Sequence, residues 1–173
     1  MTEEQRKAYL EGHRRNPLTT TPVGARILSA SQLPWFTLIP PAGFGVLTTT
    51  GRKSGAPRRK CVRAIRSGDC AYLVALVGST AAWLLNLKAN PRVRLRIRGG
   101  TFDGTAREIT DPAERAEAKE VYAGAVNPFD RLEYLMHRPG RPTPERIREL
   151  HAKWFTDGTP VVVDLSGATR RRS

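Results

Sequence analysis

The strongest chemical signal in the chain is one short stretch, Thr48-Thr49-Thr50-Gly51-Arg52-Lys53-Ser54-Gly55-Ala56-Pro57-Arg58. Gly51 and Gly55 bracket Arg52-Lys53-Ser54, so the backbone can turn sharply there. It then presents N–H groups beside two cations and a hydroxyl. Pro57 stiffens the exit and leaves Arg58 at the start of the next strand. Such a loop grips a phosphate or carboxylate through charge-assisted hydrogen bonds; a solvated basic hairpin is the plain alternative. From residue 51 to residue 66 there are seven basic residues and no acidic one: Arg52, Lys53, Arg58, Arg59, Lys60, Arg63 and Arg66. The whole chain carries a formal net charge of +13, which calls for an anionic partner. Nucleic acid, an acidic membrane surface and a phosphorylated or carboxylated ligand all satisfy that demand.

The surrounding pattern supplies elements to hold this loop. Gly45 to Thr49 reads as a strand, and Arg58–Arg66 with Cys70–Val77 reads as a hairpin about Ser67-Gly68-Asp69. The second arm is apolar nearly throughout, as in a strand covered on both faces. A helix from Ala81 to Lys88 places Trp83, Leu84 and Leu87 on one face and stops at Asn90-Pro91. Arg92 to Arg98 alternates strictly: Val93, Leu95 and Ile97 point inward and Arg92, Arg94, Arg96 and Arg98 outward. That arginine row reads as a solvated edge that deters strand pairing, with a groove for a nucleic-acid backbone or anionic lipid as the alternative. Gly99-Gly100 turns the chain into a partner strand, Thr101 to Ile109.

Helices follow. Asp111-Pro112-Ala113-Glu114 is an N-cap signature for a helix running to Ala125. A second starts near Pro128 with Phe129, Leu132 and Met136 as its apolar face. A third, capped by Thr143-Pro144, carries Ile147, Leu150 and Trp154 on one stripe. Pro160 to Asp164 is a closing strand. The pattern predicts an α+β chain: a partly open antiparallel barrel with helices outside. Residues 1–44 form an N-terminal helix and packing segment, 45–165 the barrel with a helical insertion at 111–157, and 166–173 a basic tail. Within the first part, residues 2–11 suit a short helix and 13–24 a loop. The apolar stretch Ile27–Phe44 reads as packing across the barrel, with a peripheral membrane contact through Trp35 and Phe36 as the alternative.

The loop from Thr48 to Arg58 resembles the signature of the deazaflavin (F420)-dependent nitroreductase family. The similarity recurs at Trp83-Leu84-Leu85-Asn86-Leu87-Lys88-Ala89-Asn90-Pro91-Arg92-Val93 and at Thr105-Ala106-Arg107-Glu108-Ile109-Thr110. The resemblance implies a split antiparallel β-barrel of the FMN-binding type. It also implies coenzyme F420, a deazaflavin with a phosphate and an oligoglutamate tail, with FMN as the second candidate. Hydride transfer to a quinone, nitro compound or activated enone is the implied reaction. On this resemblance Thr50, Arg52, Lys53, Ser54, Gly55, Pro57 and Arg58 hold the phosphate and tail. Arg59, Lys60 and Cys61 pass beside the ring, and Leu76, Val77, Gly78, Trp83 and Asn86 complete the pocket. Two departures stand out. The Ala75–Ala82 stretch is short and lacks the family's lysine, and the region from Ala123 to Pro160 is long. Tyr134 is the candidate substrate contact and proton donor there, although an aromatic at helical spacing is more often core.

Other residues read plainly. Cys61 and Cys70 lie about 13 Å out of register on the expected hairpin, too far for a disulfide. Cys61 also suits a small buried hydrophobe. His13, His137 and His151 show no ligand spacing. The acidic N-terminus lacks the apolar core of a signal peptide, so a cytoplasmic protein is expected, as a monomer or homodimer. A non-enzymatic barrel binding lipid or another anionic ligand is the main alternative to a reductase. A nucleic-acid barrel ranks behind both, because exposed aromatics for stacking bases are missing.

Overall fold

The computed structural model describes residues 33–76 and 78–165, so the expected helix at 2–11, the loop at 13–24 and the basic tail lie outside the described residues. The strands are β1 (Phe44–Thr50), β2 (Pro57–Arg63), β3 (Ile65–Ser67), β4 (Cys70–Ala75), β5 (Arg92–Ile97), β6 (Gly100–Glu108) and β7 (Thr159–Asp164). The helices are α1 (Ala82–Ala89), α2 (Pro112–Gly124), α3 (Asp130–His137) and α4 (Pro144–Asp157), with a short 3-10 turn at Gly78–Thr80 before α1. A further helical turn covers residues 33–38.

The seven strands form one antiparallel sheet in the order β2-β1-β5-β6-β7-β4-β3. The two edge strands, β2 and β3, are consecutive in the chain and separated only by Ala64. One continuous segment cannot sit at both edges of a flat sheet, so the sheet must curl until its edges meet. The single long hairpin arm expected over Arg58–Arg66 is therefore two strands. β2 pairs with β1 along its whole length, and only Ile65–Ser67 pairs with β4. At the break the Ala64 N–H donates to the Gly43 carbonyl at 2.9 Å.

Strand alternation fills the interior. Leu47, Val62, Leu73, Val93, Leu95, Val161 and Val163 point into one core, joined by Leu84 and Leu87 of α1. Full burial of each such side chain contributes roughly 1.5–3 kcal/mol. On β4 the residues Ala71, Leu73 and Ala75 face that core, while Cys70, Tyr72 and Val74 pack outward against a layer holding Tyr122 and Phe155. Both faces of β4 are thus covered, as its apolar sequence requires.

Local capping chemistry appears where expected. Asp111 Oδ1 accepts from the Glu114 backbone N–H at 2.8 Å, and Thr143 Oγ1 accepts from that of Arg146 at 3.4 Å. Two expectations need correction. The arginine-bearing strand β5 is central, between β1 and β6, so its arginines guard no edge. Arg94 instead pairs with Asp103 directly across on β6 at 2.7 Å, and Arg96 donates to Thr101 Oγ1 and to the Leu38 carbonyl. On α3 the buried residues are Asp130, Tyr134 and His137, while Leu132 is 53% exposed. The helix therefore buries Asp130 and His137 beside Tyr134; of the expected Phe129-Leu132-Met136 face, Phe129 packs against Phe36 and Phe44, Met136 is half-buried, and Leu132 points outward.

Candidate functional site

The hairpin joining β1 to β2 carries the glycine and basic loop. Gly51 donates to the Ala56 carbonyl at 2.9 Å, and Gly55 donates to the Gly51 carbonyl at 2.7 Å, which folds residues 51–56 into a compact tip. A Cβ on Gly51 would lie 2.9 Å from Ser54 Oγ and 3.0 Å from the Ala56 carbonyl oxygen, so the tip closes only around glycine. Gly55 has φ +67°, a left-handed value that side chains disfavour. Ser54 Oγ accepts from the Ala56 N–H and from Arg58 Nη2, both at 3.4 Å.

Asn86 fixes this tip to the barrel. Its buried side chain accepts through Oδ1 from the Arg52 backbone N–H at 3.2 Å and from Arg52 Nη1 at 3.4 Å. Its Nδ2 donates to Thr49 Oγ1 at 3.1 Å. One amide therefore ties helix α1, strand β1 and the loop together. Thr49 was read as the end of the first strand and part of the signature stretch but not as a site residue; it is buried with Gly45 and Leu47 by strand alternation.

The seven-cation run divides by burial. Arg52, Lys53, Arg58 and Arg59 are exposed around the tip. Lys60 is partly buried, and desolvation lowers its ammonium pKa. Arg63 is buried beneath α3, where it pairs with Asp130, donates to the Ala125 carbonyl and lies 5.2 Å from the Tyr122 ring centre. Arg66 stacks over Phe102 at 4.6 Å on the far side of the Ala64 break. Four cations therefore surround the tip, and the other three do different work.

The remaining candidate positions separate in the same way. Trp83 packs half-buried against the barrel core. Cys61 packs against Phe36, Phe44 and Val46. Both cysteines are free thiols. Gly78 has φ +63°, and Val77 lies outside the described residues. Leu76 packs against the cluster of Tyr134, Ile147, Leu150 and Trp154. Tyr134, 6% exposed, is a member of that cluster. His137 and His151 are buried against the Trp154 ring, at 4.9 and 5.4 Å between centroids, and His13 lies outside the described residues.

Beside the tip, the outward face of the sheet is open. A groove of about 730 Å³ is lined there by Thr48, Thr50, Pro57, Arg59, Arg92 and Arg94, among others. Arg92 and Arg94 were not among the expected site residues; strict alternation showed that they point outward but not which sheet face they share with the hairpin.

A loop built from backbone N–H groups and a serine hydroxyl, with four exposed cations around it, suits a phosphorylated or carboxylated ligand. Residues 13–132 match the sequence pattern of F420H(2)-dependent quinone reductase. The chain belongs to that family. As a member of the F420H(2)-dependent quinone reductase family it is an oxidoreductase that uses coenzyme F420 to reduce small, quinone-like organic acceptors. It is 31% identical over 102 residues to the F420H(2)-dependent quinone reductase Rv1261c of Mycobacterium tuberculosis, which covers 57% of this chain and 68% of that one. Its fold is a split barrel, and similar solved structures include an F420-H2 dependent reductase (FDR-A). That structure has a TM-score of 0.50 and 21% identity, over 71% of this chain and 95% of the other. A structure described as a domain-swapped dimer has a TM-score of 0.53 and 21% identity, over 81% and 92%.

Proposed function

We propose that the hairpin tip from Thr50 to Arg58, backed by Asn86, seats the phosphate and first carboxylates of F420. The observation that carries this reading is the Asn86 bridge. It preorganises Arg52 and the loop backbone, so that little ordering entropy remains to be lost on binding. Arg52, Lys53 and Arg58 neutralise the anion, and Ser54 with the tip N–H groups orients it. When bound, the reduced deazaflavin supplies the hydride for the acceptor. A fluorescence titration tests the seat. Replacing Arg52, Lys53 and Arg58 together by Gln should weaken F420 binding by at least about tenfold, a loss of about 1.4 kcal/mol. FMN, which lacks the acidic tail, should be affected less. Unchanged F420 affinity in the triple variant removes the assignment.

A peripheral membrane contact is favoured by a separate observation. Trp35, Leu38 and Ile39 are 73%, 69% and 81% exposed, and α3 adds Leu132 and Leu135. The two segments meet at a hollow lined by Pro41, Ala42, Phe129 and Leu132, with Arg98 at its rim. No helix among the described residues is long and apolar enough to cross a membrane. An apolar surface with a cationic rim instead suits lying on an anionic bilayer, where quinone-like acceptors concentrate. Co-sedimentation with anionic vesicles should be lost in the Trp35→Ser, Ile39→Ser double variant. No sedimentation of the unaltered protein at low salt rules the contact out.

A further inference from the structure

Where α3 and α4 pack together they bury more ligand atoms than they satisfy. Asp130 and Glu133 stand one turn apart on α3, and His151 faces them from α4. Asp130 and His151 are 0% and 1% exposed, and each of the three residues offers one ligand atom within 4.8 Å of the other two. His151 Nε2 lies 3.9 Å from Glu133 Oε2, beyond the reach of a hydrogen bond. Glu133 Oε2 and His151 Nδ1 are buried with no hydrogen-bond partner among the described residues. The rings of Tyr122 and Trp154 flank the imidazole at 6.1 and 5.4 Å between centroids and hold its plane. Arg63 takes Asp130 Oδ1 and forms no ion pair with Glu133 among the described residues. Asp130 Oδ2 accepts from the Asn127 N–H at 2.6 Å and keeps a second lone pair. A buried carboxylate oxygen and a buried imidazole that face each other without bonding are costly unless something sits between them.

We propose that Asp130, Glu133 and His151 form a site for a divalent transition-metal ion of the zinc type, which clasps α3 to α4. Zinc bonds of about 2.0–2.1 Å put tetrahedral ligands about 3.3 Å apart, so the three groups close in by roughly 1 Å to meet the ion. The donor set selects it. Mg²⁺ and Ca²⁺ take oxygen shells, whereas an imidazole with two carboxylates suits a first-row transition metal. Arg63 works against a cation held by charge alone, but the two carboxylates outweigh its single charge, and the bond to nitrogen adds to their pull. All three ligands belong to the helical region that follows β6, and Arg63 stands at the end of β2 opposite the hairpin tip. The role is therefore structural: the ion fixes α3, whose other side exposes Leu132 and Leu135.

Zinc titration of the full chain, stripped beforehand with a chelator, tests the site by calorimetry and heat unfolding. The stripped protein, in which the cluster holds side chains alone, is the reference. One zinc per chain should bind saturably. At free zinc of about a hundred times its Kd, the Tm should rise by about 5–10 °C. Magnesium should leave the Tm where it was. Glu133→Gln and His151→Gln, each close to the native volume, should lose both the stoichiometric uptake and the rise. Cobalt(II) in place of zinc should give visible absorption bands that both variants lack, a signature that does not depend on how stable either variant is. If His151→Gln fails to fold, Glu133→Gln, whose side chain is partly exposed, decides alone. No saturable uptake by the unaltered protein overturns the clasp. So does an undiminished rise in the folded variants, which marks zinc held by scattered surface groups, and so does an equal rise with magnesium.

Discussion

Arg58 and Arg63 stand on one strand and do opposite work. Arg58 is exposed at the hairpin tip, where, among the described residues, Ser54 Oγ alone engages its guanidinium. Arg63 is buried under α3, held by Asp130 and the Ala125 carbonyl and flanked by the rings of Phe44 and Tyr122. The first keeps its donors for an anionic ligand; the second commits Nη1 and Nη2 to attaching a helix, while its Nε is buried without a hydrogen-bond partner among the described residues. Around Arg63 the polar set is larger still, for Glu133 and His151 face each other at 3.9 Å. Asp130 Oδ2 accepts from the Asn127 N–H as well. The contrast teaches that a cationic run in sequence does not translate into a cationic surface. Burial and the partner supplied by another element decide what each guanidinium does.

Removing Asp130 attacks the buried side of the comparison and should have the largest effect. Asp130→Ala leaves the Arg63 charge buried without its carboxylate and should cost about 3–5 kcal/mol in urea unfolding. Replacing both residues by apolar ones should recover much of that loss. A change below about 1 kcal/mol means that Arg63 reaches water in the variant, and the contrast with Arg58 collapses.

The pH dependence of stability probes the same cluster. Burial raises the Glu133 pKa from 4.5 to about 7, with Arg63 opposing, and lowers that of His151 from 6.5 to about 3. Between pH 4.5 and 7 the folded chain keeps a proton on Glu133 that the unfolded chain has released, so this group makes stability fall as pH rises. Between pH 3 and 6.5 the unfolded chain protonates His151 and the folded chain does not, so this one makes stability rise. From pH 4.5 to 6.5 the two oppose each other, and the unaltered protein should show a flat profile from this pair. Glu133→Gln should uncover a rise of up to about 3 kcal/mol over that window. Identical profiles for the two proteins would falsify the assignment.

On the exposed side, Asn86→Ala should lower stability by about 1–3 kcal/mol, because Thr49 and the Arg52 N–H lose a buried partner. It should also weaken F420 binding, since the tip is no longer held. Full cofactor affinity in a destabilised variant would separate the tether from the site. The smallest effect belongs to Asp103→Asn. Breaking an exposed pair should change stability by less than about 1 kcal/mol, and that difference should shrink with salt.

Much of this molecule is legible in its residues because the governing forces act over short spans. The Asp111 and Thr143 caps, the inward Val93-Leu95-Ile97 row and the glycine-bracketed tip each depend on neighbours within a few positions. The resemblance blocks placed the tip, Trp83 and Asn86 in one site, and the structure joins Asn86 to Arg52 and Thr49. What the tertiary structure alone decided involves partners far apart in the chain. The break at Ala64 follows from curling the sheet until β2 and β3 meet, which no local pattern encodes. The central position of β5 depends on β1 and β6 flanking it, so the same arginines that would guard an edge instead line a face. The polar residues that α3 buries are the clearest case. Leu132 reads as core but is exposed, and Arg63, 67 positions before Asp130, makes that carboxylate the residue that α3 buries.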